Sequence, residues 1–299
     1  MKKTLLYLFL IISSFTLTAQ DGTVKELQSA SNKEVKSLDS MGWKKGGTLL
    51  INLNQGSLSN WAAGGEQNTF GINGLLSYAV QYKADRYTWD NFFEIALGFQ
   101  NATSFNRFRK IDDRIDITSK YGRKIGEGKW SYGLLANLFT QAIPGYNYNQ
   151  TPEVKISNLF SPGKILLSPG FNYQPSDKFS IFISPATARL LLKTDPDFLN
   201  QDLFGVAAGE KSYLELGAFA TARYSTPLAK WATYTGRVDL FSNYRRNPQN
   251  VDLLMTNLLT LKFSKALATN ISVDIIYDDD VIQKTQLKQI LGVGLTLSL

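Results

Sequence analysis

Residues 291–299 read Leu-Gly-Val-Gly-Leu-Thr-Leu-Ser-Leu, and this alternation decides the fold. The odd-numbered residues are aliphatic, whereas the even-numbered ones are Gly, Thr or Ser. Successive side chains of a β-strand point to opposite faces, so the segment has one apolar face and one small, polar face. An uncovered apolar strand would promote aggregation of a soluble protein, but a transmembrane barrel turns such a face towards lipid.

The same period of two recurs from about residue 47 onward, in about twelve segments. In one of them Ile111, Ile115 and Ile117 alternate with charged residues, and in another the apolar residues of 89–99 alternate with acids. The pattern predicts an all-β protein, namely a transmembrane antiparallel up-and-down β-barrel of about twelve strands.

The predicted connections alternate in length. The odd-numbered connections are long and comprise 56–68, 101–109, 142–162, 189–211, 244–249 and 279–287. The even-numbered connections are short and comprise 83–87, 123–128, 175–177, 226–229 and 265–268. Outer-membrane barrels have short periplasmic turns and long outer loops. A soluble β-sandwich or lipocalin-like barrel would also show alternating apolar and polar residues along its strands. Such a protein has no reason to alternate long and short loops, so the loop lengths favour a membrane barrel.

The N-terminal residues 1–19 have the features of a cleaved secretory signal peptide. Lys2 and Lys3 precede an apolar core at 5–12, and small residues lead to a cleavage site before Gln20. Residues 20–45 are polar and predict a flexible periplasmic leader, with a partner-binding helix as the alternative. The barrel is then expected over 46–299, in the cell outer membrane.

The charge of the chain is modest, and its partners are inferred accordingly. The formal net charge is +7, without a dense basic run or a nucleic-acid motif, so nucleic acid is not an expected partner. We expect contact with outer-membrane lipid, and either a hydrophilic solute or a protein of an envelope complex as the functional partner.

The sequence contains no His and no Cys. Imidazole bases, thiol nucleophiles and ordinary zinc or copper sites are therefore excluded. We expect no catalytic residue, cofactor or metal site, and no enzymatic activity. An enzyme that uses only paired carboxylates, such as a glycosidase, is the less favoured alternative.

Charged residues on the polar strand faces form the first candidate site. They are expected to point into the lumen and comprise Asp90, Glu94, Asp112, Arg114, Asp116, Arg237 and Asp239. They could form a charged eyelet that filters solutes, or a carboxylate site for a hard cation such as calcium. A salt-bridge ladder that braces the lumen is the simpler interpretation and is favoured.

A second candidate is the loop 60–66, which contains Trp61, Gly64, Gly65 and Glu66. Its small residues permit a close approach of the backbone, so the loop could fold into the lumen as a plug. An ordered outer loop explains the composition equally well, and the sequence does not separate the two.

Several motifs resemble those of a known family. They are 53–66, Lys110-Ile111-Asp112-Asp113-Arg114-Ile115-Asp116, Ser119-Lys120-Tyr121-Gly122, Thr140-Gln141 with Pro144-Gly145-Tyr146-Asn147-Tyr148, and Ile183-Ser184-Pro185. Together they cover about 42–192 and resemble a Bacteroidota outer-membrane β-barrel family, domain of unknown function 3078. The resemblance implies an outer-membrane location and carries no assigned activity or ligand.

The sequence therefore predicts a small channel or transport barrel for hydrophilic solutes. The alternative is a structural or partner barrel of a cell-envelope complex.

Overall fold

The computed structural model describes residues 41–57, 68–105, 107–176, 178–264, 267–278 and 282–298. Within these ranges the predicted all-β fold is confirmed as a closed antiparallel barrel of twelve strands. The strands of its first half are β1 Gly42–Ser57, β2 Asn68–Lys83, β3 Tyr87–Ala102, β4 Arg109–Lys124, β5 Trp130–Thr140 and, after a small hairpin, β8 Gly163–Ser176. The others are β9 Phe179–Leu192, β10 Ser212–Ala229, β11 Ala232–Asn243, β12 Val251–Lys262, β13 Leu267–Asp278 and β14 Ile282–Ser298.

Each barrel strand pairs with the next one along the chain, and the last pairs with the first. β1 is antiparallel to β14, with Thr48 opposite Ser298 and Ile51 opposite Leu295. The order is interrupted only between β5 and β8, where the hairpin β6 Gly145–Asn147 and β7 Val154–Ser157 is inserted. This is the up-and-down topology that the alternation predicted. No helix in the described ranges is long and apolar enough to cross a membrane.

Several strand boundaries differ from the prediction. The predicted connection 226–229 is wrong because β10 continues to Ala229, and the predicted connection 189–211 begins too early because β9 continues to Leu192. β1 begins at Gly42, four residues before the predicted barrel start at 46, because residues 42–45 continue the backbone ladder with 80–83. β14 begins at Ile282, which pairs with Asp278, so the predicted long connection 279–287 is wrong. These extensions were not predicted because the pairing of backbone groups does not require alternating side chains. The polar residues after Ile282 lack the alternation by which a half-buried strand is recognised. The predicted signal peptide 1–19 and the residues 20–40 of the predicted leader lie outside the described ranges.

The outer surface of the barrel is apolar. On β3 the outward side chains Trp89, Phe93, Ile95 and Leu97 are 38–43% exposed, whereas the intervening Glu94 is buried. A water-soluble barrel would expose the charged side chain and bury the apolar ones. The arrangement is therefore that of a barrel whose outer wall faces lipid.

Aromatic side chains line the barrel at the end with the short turns. Trp43 lies 5.0 Å from Tyr82 and 6.1 Å from Trp89, and Tyr87 lies 5.7 Å from Tyr82 and 6.1 Å from Tyr121, measured between ring centroids. These contacts run across β1 to β4. Aromatic girdles of this kind mark the membrane interface of outer-membrane barrels, and a tilted strand crosses an apolar band of about 25 Å in roughly ten residues.

Candidate functional site

The predicted charge cluster divides between two walls of the lumen. Asp90 and Glu94 lie on β3, and Asp112, Arg114 and Asp116 lie on the neighbouring β4. Arg237 and Asp239 lie on β11, which is separated from β4 by four strands in one direction around the barrel and by six in the other. All of them alternate with the outward apolar residues of their strands, so they share the inner face.

On the first wall, every described carboxylate has a partner. Glu94 forms an ion pair with Arg114, and their side chains are 3% and 9% exposed. Asp116 is fully buried and accepts hydrogen bonds from Asn137 Nδ2 at 2.9 Å and Thr118 Oγ1 at 3.2 Å. These contacts join side chains of adjacent strands and so form a ladder of polar interactions along the wall. The ladder supplies partners to charged groups that have been removed from water.

Towards the short-turn end of the same wall, Asp90 lies opposite Lys120 in the β3–β4 register. The Asp90 carboxylate accepts a hydrogen bond from Gln81 Nε2 at 3.2 Å. Lys120 Nζ donates to Asn172 Oδ1 of β8 at 3.0 Å and lies 5.5 Å from the centre of the Phe182 ring. Lys120 thus connects the charged wall to the aromatic interior.

On the opposite wall, Arg237 and Asp239 are both buried and bonded to each other. Arg237 Nε donates to Asp239 Oδ1 at 2.5 Å and to Thr221 Oγ1 of β10 at 3.1 Å. Arg223 lies directly opposite Arg237 in the β10–β11 register, so the two guanidinium groups share the inner face. This wall therefore presents two neighbouring cations and one carboxylate.

A third network, which sequence reasoning missed, lies nearer the long loops. Arg189 of β9 pairs with Glu215 of β10, lies 3.6 Å from Asp252 and stacks 4.0 Å from the centre of the Phe241 ring. Glu215 alternates with Leu214 and Leu216, so the sequence already predicted that Glu215 lies on the inner face of its strand.

Arg189 was missed because the sequence analysis placed it at the start of the connection 189–211, whereas β9 continues to Leu192. A change of register also obscures its face. The β9–β10 ladder shifts between Gly217 and Phe219, where the partner residues pass from Thr187 to Ser184. A bulge adds one residue and so reverses which side chains face inwards. Alternation counted from Ile183 would therefore have placed Arg189 on the lipid side.

Part of the lumen is occupied by apolar side chains. Phe182, Phe219 and Phe241 pack together as a buried cluster against Leu135. Gly217 makes room for them, since a Cβ there would lie 2.9 Å from Phe241 Cζ. These residues occupy inward-facing positions, which are mostly polar in the other strands. Their bulky rings therefore narrow the lumen.

A cavity of about 100 Å³ remains between the two charged walls. Its lining combines charged, polar and apolar side chains: Asp90, Phe92, Thr118, Lys120, Leu135, Asn172, Ser180, Phe182, Thr221, Arg223 and Arg237. Two members of the predicted cluster, Asp90 and Arg237, therefore face the same space. Glu94, Asp112, Arg114, Asp116 and Asp239 are not among the residues that line it.

The predicted alternatives for the cluster can be compared with this geometry. In the described ranges, no three acidic side chains converge as they would around a metal ion. The ion pairs of Glu94 and Asp239 favour the salt-bridge ladder over a carboxylate cation site. The predicted plug residues Trp61, Gly64, Gly65 and Glu66 lie outside the described residues.

Two outer connections are fastened together above the barrel. Lys155 of β7 forms ion pairs with Asp195 at 2.8 Å and with Asp197. Asp195 is the N-cap of the short 3-10 helix Pro196–Phe198, and Asp197 lies within that helix. Asn158 Nδ2 donates to the Asp195 carboxylate at 2.6 Å. We call this contact of Lys155, Asn158 and Asp195 the outer clasp.

The outer clasp perturbs the acid–base equilibria of its members. Hydrogen bonds to Asp195 and Asp197 raise the pKa of Lys155. Burial raises the pKa of Asp195, but hydrogen bonds from Lys155, Asn158 and the Asp197 backbone outweigh burial and hold that pKa below its ordinary value.

The family comparison agrees with the motifs. Residues 53–146 match the model of a family described as "Protein of unknown function (DUF3078)". The match covers β2 to β5 and the start of the inserted hairpin, which is under half of the chain. It confirms the predicted domain of unknown function over those residues, while an origin in the Bacteroidota stays a prediction.

Solved structures give fold-level similarities. The translocator domain of the autotransporter NalP from Neisseria meningitidis is 11% identical, with a TM-score of 0.40, covering 91% of this chain and 93% of that one. An outer membrane channel from Pseudomonas putida F1 is 13% identical, with a TM-score of 0.41, covering 89% and 99%. Both TM-scores are under 0.5, so neither similarity assigns a function. No curated protein matches the sequence.

We predict that Glu94→Gln destabilises the barrel by about 3 kcal/mol, because it leaves the Arg114 guanidinium buried without its carboxylate partner. The measurement is the free energy of unfolding in denaturant. The matched control is Glu153→Gln, which breaks the exposed Arg107–Glu153 pair and should cost less than about 1 kcal/mol. Equal losses in the two variants would contradict a bracing role for Glu94.

We also predict that the outer clasp is pH-dependent. Since the pKa of Asp195 is lowered, its stabilisation is complete above about pH 4 and is lost as the pH falls through the lowered value. Since the pKa of Lys155 is raised, its contribution is complete below about pH 10 and is lost as the pH rises through the raised value.

The measurement is amide hydrogen exchange in 193–211, corrected for the intrinsic pH dependence of exchange. Protection should be constant at neutral pH and should fall as the pH drops below about 4, the ordinary pKa of an Asp side chain, and through the lowered pKa of Asp195. Asp195→Asn should already lack this protection at neutral pH, whereas the control Glu210→Gln, at an exposed residue of the same loop, should behave as the wild type. Protection that does not change with pH would show that the clasp does not hold the loop.

Proposed function

We propose that this protein is a non-enzymatic outer-membrane barrel that passes small hydrophilic solutes through a constricted lumen. The observation that carries the proposal is the lumenal cavity that charged side chains of two walls line, with Asp90 and Lys120 on one side and Arg223 and Arg237 on the other. A barrel that serves only as a scaffold has no need for polar space at this position.

The location proposed is the outer membrane, reached by export and removal of the residues 1–19. The apolar outer wall and the aromatic row of Trp43, Tyr82, Tyr87 and Tyr121 support it, because each matches an outer-membrane barrel in a bilayer. The residues 20–40 would then lie in the periplasm next to the short turns.

The size of the solute follows from the packing of the lumen. A twelve-stranded barrel lies between filled eight-stranded barrels and open sixteen-stranded porins. Here Phe182, Phe219 and Phe241 fill part of the cross-section. We therefore expect passage of small ions and solutes only, with a conductance well below that of a general porin.

Catalysis is not proposed, for chemical reasons. The chain has no imidazole or thiol. Among the acids of the candidate cluster, Glu94 and Asp239 are engaged with arginines, and Asp116 is engaged with hydrogen-bond donors. Such carboxylates are held in structural contacts rather than left to attack a substrate or transfer a proton.

A structural or partner barrel is the second candidate. The filled lumen favours it, since Phe139 and Leu254 are almost fully buried inside the described barrel. The hairpin β6–β7 adds exposed Val154 and Ile156 that another envelope protein could contact. This candidate requires a barrel that does not conduct.

We predict that Phe219→Ala increases single-channel conductance severalfold in planar bilayers, because it removes a ring from the cluster that narrows the lumen. The wild type should show small, steady steps. The matched control is Phe171→Ala, which removes a ring of the same size from the outer wall, where Phe171 is 48% exposed. The control should conduct as the wild type does.

Conductance that is absent from the wild type and from Phe219→Ala alike would overturn the channel proposal and favour the partner barrel. An equal increase in both variants would show that the aromatic cluster does not set the constriction. Heat-dependent mobility on gels and far-UV circular dichroism establish that each variant is folded before its conductance is recorded.

A further inference from the structure

The same pair of residue types recurs all around the short-turn end of the barrel. At the start of β1 and at each of the five short connections, a Lys or Arg is adjacent in sequence to an aromatic residue. We call these residues the basic-aromatic ring, and its six pairs are Trp43-Lys44, Arg86-Tyr87, Lys129-Trp130, Lys178-Phe179, Lys230-Trp231 and Lys262-Phe263. Since each strand pairs with the next around a closed sheet, the pairs are distributed over the whole perimeter.

The side chains of the ring are accessible on the outside of the barrel. Trp43, Trp130, Trp231 and Phe263 are 46–64% exposed. The basic residue of every pair is exposed as well. Trp43 and Trp130 belong to the outward faces of their strands, where they continue the apolar wall to its end. Each pair therefore places a cation directly beside a ring that faces lipid.

The charge of the two ends of the barrel differs. The five short connections, each counted with two strand residues on either side, contain nine Lys or Arg and three Asp or Glu. The six long connections, counted in the same way, contain nine basic and ten acidic residues. Residues 20–40 contain three basic and four acidic residues, so they would not cancel the excess at the short-turn end. That end is therefore positively charged, whatever local ion pairs form within it.

The combination of ring and charge fits the surface of a bilayer. Trp and Tyr prefer the interface between hydrocarbon and headgroups, and Lys and Arg extend from there towards the charged headgroup layer. Neighbouring residues of an extended chain are only about 3.3 Å apart, so the cation and the aromatic ring reach the same lipid. Basic side chains next to a membrane attract anionic lipids.

The distribution of the pairs favours lipid over a protein partner. A protein that docks at this end would contact one sector of the barrel and would need a patch there. The pair instead recurs at all six positions, from Trp43-Lys44 of β1 to Lys262-Phe263 after β12. A shell of lipid surrounds the barrel and meets every position alike.

We propose that the basic-aromatic ring binds the headgroups of anionic phospholipids in the leaflet at the short-turn end. The phosphate oxygens accept hydrogen bonds from the Lys and Arg side chains, and the aromatic rings pack against the glycerol and the first carbon atoms of the acyl chains. The inference rests on the membrane location given under the proposed function and is independent of whether the barrel conducts.

The test is quenching of tryptophan fluorescence by brominated lipids in vesicles that contain the reconstituted protein. With Trp61→Phe as the background, the remaining tryptophans are Trp43, Trp89, Trp130 and Trp231, and all lie at the short-turn end. Brominated phosphatidylglycerol is compared with brominated phosphatidylcholine of the same chain length. We expect phosphatidylglycerol to bind about fivefold more tightly, and this preference should approach equality in about 1 M salt.

The ring is tested by a fourfold variant, Lys129→Gln with Lys178→Gln, Lys230→Gln and Lys262→Gln, which keeps every aromatic side chain. Its preference for phosphatidylglycerol should fall below about twofold. The matched control is Lys211→Gln with Arg245→Gln, Arg246→Gln and Lys284→Gln, which removes the same charge from exposed residues of the long-loop end. The control should keep the preference of the background protein.

Several outcomes would overturn the proposal. They are equal binding of the two lipids, as expected if an acidic protein is the partner of this end, a preference that does not respond to salt, and equal losses in the fourfold variant and its control. If the fourfold variant does not fold, the lipid preference of the background protein and its salt dependence decide alone.

Failure of the channel proposal is distinguishable from these outcomes. A preference for phosphatidylglycerol without bilayer conductance would contradict the channel and leave the lipid-binding ring. Conductance without that preference would contradict the ring and leave the channel.

Discussion

The closure of the sheet between β1 and β14 is the constraint on which the rest of the structure depends. In the hydrocarbon of a bilayer each unpaired backbone N–H or C=O costs several kcal/mol, so a sheet can span it only when both edges are joined. The antiparallel pairing of 48–51 with 295–298 provides that joint. Once the sheet is closed, alternate side chains are divided between lipid and lumen, and all charge on the spanning strands must be accommodated inside.

The narrow interior explains the form that these charges take. Twelve strands enclose a space that Phe182, Phe219 and Phe241 partly fill, so little water remains to solvate an isolated ion. Glu94 with Arg114, and Arg237 with Asp239, satisfy each other instead. Breaking one member of such a pair is costly because the other stays buried. The ion-pair ladder and the polar cavity are therefore two results of the same confinement.

Much of this architecture was predictable, because a period of two records which face of a strand meets lipid. Asp90, Glu94 and Arg114 could be assigned to the inner face before any coordinates. The lining of the lumen was harder to predict, since Phe219 and Leu254 occupy inner positions with apolar side chains and weaken the alternation. Arg189 was missed because it was assigned to the connection 189–211, whereas β9 continues to Leu192, past a bulge that reverses its alternation. The start of β14 was missed because its backbone ladder continues beyond the apolar part of the strand.

Some features had no sequence signal at all. Which charged residues share a space depends on the order of strands around the closed barrel, and so Arg223 and Lys120 meet across the lumen from distant parts of the chain. The outer clasp likewise joins Lys155 and Asp195 from separate connections. The periodicity of a sequence shows which face of a single strand is buried. Predicting these contacts also requires the order of the strands around the closed barrel.

The seam between the first and last strands tests the account most directly. The chain has no Cys, so a single engineered pair can be followed without background. Leu49 lies opposite Leu297, and cysteines at directly opposite positions of adjacent strands are close enough for a disulfide. With Leu49→Cys and Leu297→Cys, mild oxidation of isolated outer membranes should crosslink the folded protein, while Leu49→Cys with Leu259→Cys of β12 should not react. An absent crosslink in the first pair, or equal crosslinking in both, would contradict the closed barrel.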